Sequence, residues 1–113
     1  MNEYDRHKKT MNLILKKIND DVVTASNFIP LEEWIWIKKH LDYPHIIEAF
    51  TDIDQVSKIK IWQITKYIND EKESYNIAYN PSTKNYGIIT QISPDIKWYM
   101  GDYGTLYETF LSL

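Results

Sequence analysis

Apolar residues in the first half of this chain recur at helical spacing, and those in the second half alternate. Met11, Ile14, Leu15 and Ile18 fall three and four apart, the stripe of an amphipathic helix. The pattern predicts a helix over residues 4–20, with Lys8, Lys9, Lys16 and Lys17 on its solvated face and Asn19-Asp20-Asp21 ending it. Residues 22–29 read as a connector with a short extended run, Val22-Val23-Thr24. Pro30 then opens a second helix, where its missing N–H costs little, and Glu32 and Glu33 suit the positive end of that helix. Leu31, Trp34, Ile35 and Leu41 share one side. Trp36 and Ile37 widen it, so the helix is either buried on two faces or carries an exposed tryptophan. Asp42-Tyr43-Pro44 stops it, because the residue before a proline is pushed out of helical geometry. A short helix over 44–50 follows, with Ile46, Ile47 and Phe50 inward.

Asp52-Ile53-Asp54-Gln55 has the form of a capping box. A helix from there to about Asn69 would carry Val56, Ile59, Ile61, Trp62, Ile64, Tyr67 and Ile68 around most of its circumference, as a central helix does. The β-branched alternation Lys58-Ile59-Lys60-Ile61 is instead what a short strand shows; length and cap favour the helix. From Ser74 the period becomes two. Tyr75, Ile77 and Tyr79 alternate with Asn76 and Ala78, Asn80 to Asn85 is a polar turn, and Tyr86 to Ile92 is the return strand. Ser93-Pro94-Asp95 turns the chain again into Ile96-Lys97-Trp98-Tyr99-Met100, with Ile96, Trp98 and Met100 on one face. Gly101 and Gly104 bound a tight reversal that needs positive φ. Thr105-Leu106-Tyr107-Glu108 is a capping box that starts a last helix, with Leu106, Phe110 and Leu113 along its stripe. The expected architecture is α+β: N-terminal helices followed by a three-stranded antiparallel meander and a C-terminal packing helix, all in one domain over residues 1–113.

Composition changes this picture mainly by exclusion. At 113 residues, 43% hydrophobic and 14% aromatic, the chain has ample material for one core. It has no cysteine, hence no disulfide, thiol nucleophile or Cys-based metal site. No segment reaches membrane-spanning length and the N-terminus lacks a signal-peptide pattern, so the expected location is cytoplasmic, with no membrane partner. A net charge of −3 argues against nucleic-acid binding, whose affinity comes from phosphate neutralisation by Lys and Arg. Tyr75, Tyr79, Tyr86, Trp98 and Tyr99 could form a base-stacking platform, but with only Lys84 and Lys97 near them core packing explains them better.

No catalytic constellation emerges. His40 and His45 flank Asp42 near Glu48, but a spacing of five across Tyr43-Pro44 does not place both rings on one helical face, so no metal site is expected. Asp52 and Glu108 have capping roles, and no serine has a nucleophile-elbow context. With three glycines in all, there is no phosphate-cradling loop. The expectation is a non-enzyme without cofactors.

The stretches Ala78-Tyr79-Asn80-Pro81-Ser82-Thr83-Lys84-Asn85-Tyr86-Gly87-Ile88-Ile89 and Met100-Gly101-Asp102-Tyr103-Gly104-Thr105-Leu106-Tyr107-Glu108-Thr109-Phe110 resemble the C-terminal part of small bacterial immunity proteins of polymorphic-toxin and contact-dependent growth-inhibition systems. The resemblance covers about the last third of the chain. It implies an inhibitor that binds a cognate toxin domain, often a nuclease with a basic cleft, and occludes its active site. The alternatives are an interaction or regulatory module with another partner, or a small ligand-binding domain or enzyme. Candidate partner contacts, chosen as exposed aromatics and acids near element ends, are Trp36, Asp42, Tyr43, Tyr99, Asp102 and Tyr103.

Overall fold

The elements follow in the order α1 (Glu3–Ser26), α2 (Leu31–His40), β1 (Leu41–Phe50), β2 (Lys58–Thr65), β3 (Tyr75–Asn80), β4 (Asn85–Ser93), β5 (Ile96–Gly104) and α3 (Leu106–Leu111). They belong to a computed structural model that describes residues 2–52, 54–66 and 75–113.

The Asn2 side chain caps α1 by accepting the Asp5 N–H at 2.8 Å, and Glu3 and Asp5 complement the positive end of the helix. The helix does not stop at Asn19-Asp20-Asp21. Val22 and Ala25 extend the stripe of Ile18, and Asp21 is held by Lys17 one turn earlier, so the run Val22-Val23-Thr24 is helical. A turn at residues 27–29 then leads into α2, whose Ile37 joins Ile18 and Ala25 of α1 in one core cluster. The ten residues of α2 cover about 15 Å. Leu41 arrives beside Leu15, Ile18 and Val22. Ile37 is the buried residue of α2, with Trp34 half-buried. Leu31 and Ile35, expected inside, are exposed, and of the two arrangements open for this helix the exposed Trp36 is the one found.

Residues 44–50 and 58–65 are strands, not helices. Asp52 caps no helix. Its Oδ1 accepts the N–H groups of Val56 and Ser57 at 3.0 and 3.3 Å, Gln55 adopts φ 59°, and Thr51 N–H closes the loop on the Ser57 carbonyl at 2.9 Å. The strand alternation at Lys58–Ile61 is therefore the correct signal; the expected helix end at Tyr67–Asn69 lies outside the described residues. Leu41 pairs with Thr65 and His45 with Gln63, four residues of β1 against two of β2. Asp42, Tyr43 and Pro44 supply the excess as a bulge, which also accommodates a proline that has no ladder N–H to give.

β3, β4 and β5 form the expected antiparallel meander, but as three strands of five. β1 and β2 precede them, and the sheet closes into a barrel in the order β1-β2-β3-β4-β5. In a meander each strand reverses the last, so first and fifth run the same way and closure must be parallel. It occurs through the pair Phe50 and Trp98. The strands have two buried faces. Ala49, Ile61, Ala78, Ile89 and Tyr99 fill the barrel, while Trp62, Ile64, Ile77, Tyr79 and Tyr86 meet Ile18, Ala25, Ile29, Ile37 and Leu106 from the helices. Ile77, Ala78 and Tyr79 are thus all buried, where one exposed face was expected for β3.

At the end of the chain β5 runs on through Gly104, so the tight reversal expected between Gly101 and Gly104 is not there, while the positive φ and the capping box are. Gly101 and Gly104 have φ 116° and 109°. Thr105 Oγ1 accepts the Glu108 N–H at 3.2 Å and Glu108 Oε1 reaches back to the Thr105 N–H at 3.3 Å, a complete capping box. Leu106 is buried and Phe110 half-buried, whereas Leu113 lies past the helix and is exposed.

Candidate functional site

The helical layer carries the surface features from which a site could be built. α1 presents Lys17, Asp21 and Thr24 on one face, at helical spacing, toward the β3–β4 turn and α3, and Phe28 of the turn that follows continues the row. Between them lies a cleft of about 450 Å³, bordered by Lys84 and Asn85 on the turn and by Tyr107 and Glu108 on α3. Its floor is a linked set of polar groups. Tyr86, itself buried, donates its hydroxyl to Asp21 Oδ2 at 2.7 Å, and Lys17 Nζ holds Asp21 Oδ1 at 2.9 Å. Burial, and then the hydrogen bond to Asp21, push the Tyr86 hydroxyl well above the ordinary tyrosine pKa. The hydrogen bond to Asp21 raises Lys17 above the ordinary lysine value.

A second, narrower groove of about 200 Å³ runs between α2 and α3, lined by Ile29, Glu33, Trp36, Ile37, Tyr107, Phe110 and Leu111. Tyr107 borders both hollows and stacks obliquely on Phe28, with ring centroids 6.1 Å apart. Trp36 is 47% exposed and packs against the His40 ring at 4.6 Å; Phe28 and Leu111 are each 65% exposed. These side chains make a continuous aromatic and aliphatic surface from the end of α1 across α3 to α2.

The residues expected from sequence to contact a partner fall in three places. Trp36 lies on the groove just described. Asp42 and Tyr43 lie on the β1 bulge, beside a hollow of about 280 Å³ against Leu15, Ile18 and Val22 of α1. Tyr43 is 74% exposed, and Asp42 Oδ1 accepts the Tyr43 N–H at 2.8 Å, which fixes the bulge. Asp102 and Tyr103 are exposed on the far part of β5. Tyr99 is not an exposed aromatic. It is 4% exposed, because Lys97, Tyr99 and their neighbours alternate and Tyr99 takes the inward face of a closed barrel. Its hydroxyl emerges at the rim to donate to Asp102 Oδ1, which also accepts from Asn80 Nδ2 at 3.5 Å. Burial first, and then the bond to Asp102, raise the Tyr99 hydroxyl well above the ordinary value.

Sequence reasoning missed Phe28, Glu33, Tyr107 and Leu111. One signal was present: α2 has more apolar positions than a single buried stripe requires. His40 and His45 do not converge with Asp42 and Glu48. Each ring nitrogen Nδ1 lies near a backbone carbonyl, of Lys66 at 3.3 Å and of Tyr43 at 3.2 Å, and no group of three or more potential ligands for a metal occurs among the described residues. Among those residues no helix is long and apolar enough to cross a membrane. Compared with family models, curated proteins and solved structures, the chain matches none.

Proposed function

We propose that this protein is a non-enzymatic inhibitor that binds a cognate protein toxin in the cytoplasm and covers its active site, as its resemblance to immunity proteins implies. The observation that carries the reading is the set of large apolar side chains left exposed on the helical layer, Phe28, Leu31, Ile35, Trp36 and Leu111, of which Phe28, Trp36 and Leu111 border the two hollows beside α3. Exposing such groups is costly in a free domain unless a partner covers them, and clustered exposed apolar side chains mark interaction surfaces. Aromatic anchors set in shallow hollows supply most of the energy of protein interfaces, and acids around them speed encounter with a basic partner. Trp36 and Tyr43 serve as anchors, with Asp42, Asp102 and Tyr103 as further contacts.

Co-expression with the toxin domain encoded beside its gene tests this directly. The protein is expected to restore growth and to form a stoichiometric complex. Tyr43→Ala, which should change stability by no more than ~0.5 kcal/mol, and Trp36→Ala, which also loses packing on His40 and should cost about 1 kcal/mol, are expected to weaken the complex at least about tenfold. Growth arrest that persists with the wild-type protein would rule out the proposal.

A second reading is favoured by the α1–α3 cleft, whose size and convergent polar floor suit a small ligand. Binding there would raise the melting temperature in a small-molecule screen, and Phe28→Ala would abolish the rise.

A further inference from the structure

We infer that the groove between α2 and α3 is a receptor for one basic side chain, arginine or lysine, presented by the partner protein. This rests on the reading of the protein as a partner-binding inhibitor and names what the partner inserts. The groove is short, about 200 Å³, which suits a single side chain and not a helix. Its walls are Ile37, Phe110 and Tyr107, an apolar bed for an aliphatic stem.

At its edge stand Glu33 and, one turn on, the exposed Trp36. Glu33 is the one charged residue lining the groove, and it has no ion pair among the described residues. Its own helix offers none: the positions three and four residues on are Trp36 and Ile37, while Lys38 and Lys39 fall on other faces. A carboxylate next to an indole face, above an apolar floor, is complementary to a cation on a hydrocarbon stem. An acidic side chain would meet Glu33 with like charge. A purely apolar one would cover Glu33 and leave it without a partner.

The test uses N-acetyl-arginine amide and its neutral near-isostere N-acetyl-citrulline amide, titrated into the intact protein and followed by NMR. Arginine amide is expected to shift the Trp36 indole N–H and the Tyr107 and Leu111 amides saturably, and to bind about tenfold more tightly than citrulline amide, the sum of a modest cation–π and a modest ion-pair contribution. Glu33→Gln should remove the ion-pair share and narrow the preference to about threefold, the cation–π share that Trp36 retains. Equal binding of the probes by the wild-type protein, or shifts confined to other surfaces, would overturn the inference. Toxin rescue that survives Glu33→Gln, with no arginine preference, sinks this inference and leaves the proposed function standing. Arginine-specific binding in a protein that rescues no cell supports the receptor groove and sinks the function.

Discussion

A Cβ at Gly87 would fall inside the van der Waals radii of the Gly101 carbonyl oxygen and the Tyr99 ring. β4 carries no side chain there, so the Tyr99 ring can lie over the neighbouring strand at Gly87 and put its hydroxyl on Asp102. Gly87→Ala is therefore expected to cost at least about 2 kcal/mol by overpacking, measured by urea unfolding. Trimming the obstacle with Tyr99→Leu should make the double variant lose less than the sum of the single losses. The tyrosines also set a pH limit. Tyr86 and Tyr99 have folded-state pKa values raised by burial and by hydrogen bonds to carboxylates. Above about pH 10 the unfolded chain releases tyrosine protons that the folded one keeps. Stability from these groups is complete below that pH and falls as pH rises beyond it. Unfolding at successive pH values should show release of up to about two protons from these residues, reduced by one in each of Tyr86→Phe and Tyr99→Phe. Of the six side chains picked as partner contacts, Trp36, Asp42, Tyr43, Asp102 and Tyr103 are at the surface. Tyr99 was misplaced because the polar tip of a tyrosine says nothing about which side of a strand its ring occupies.

Among the elements, α3 is the one its sequence specifies most fully. Six residues make too short a helix to persist alone, and the reciprocal bonds of Thr105 and Glu108 supply what its length does not. Thr105→Ala should lower stability by about 1 kcal/mol, seen as a shift of the denaturant midpoint with unchanged slope. The meander was equally legible, since its turns carry Pro81 and Pro94. β1 and β2 were not. A strand covered on both faces loses its alternation: Ile61, Trp62, Gln63, Ile64 and Thr65 are all buried, and such a run reads as a helix apolar all round. Only at Lys58–Ile61, where β2 leaves the helical layer, did the period of two survive. In β1 the bulge at Asp42-Tyr43-Pro44 shifts the pattern out of phase, and Asp52-Ile53-Asp54-Gln55 copied a capping box while making a loop. The extent of α1 was misjudged for a tertiary reason. Asp21 looks like a terminator until Tyr86, 65 residues away, supplies its partner.

At the level of the whole molecule, closure is the thinnest part of the design. Among the described residues β1 and β5 pair in register only at Phe50 and Trp98, whereas the β1–β2 register holds seven pairs and the β4–β5 register six. Amides at this seam should exchange with solvent at a lower opening free energy than those of Ile77 or Ile88, as native-state hydrogen exchange would report. The strand edges that diverge from the seam are each interrupted, β1 by the Pro44 bulge and β5 by the shifts around Gly101. Such interruptions blunt pairing with other chains. The odd number of strands has a mechanical consequence. Because β1 and β5 are parallel, Leu41 and Gly104 lie at opposite ends of the barrel, and a load applied through them draws the two strands lengthwise past their neighbours. The ladders to β2 and β4 then resist together in shear, not one bond at a time as a hairpin pulled open at its mouth would. In a force-ramp experiment the helices should peel away at low force, and the barrel should yield afterwards in one higher-force step.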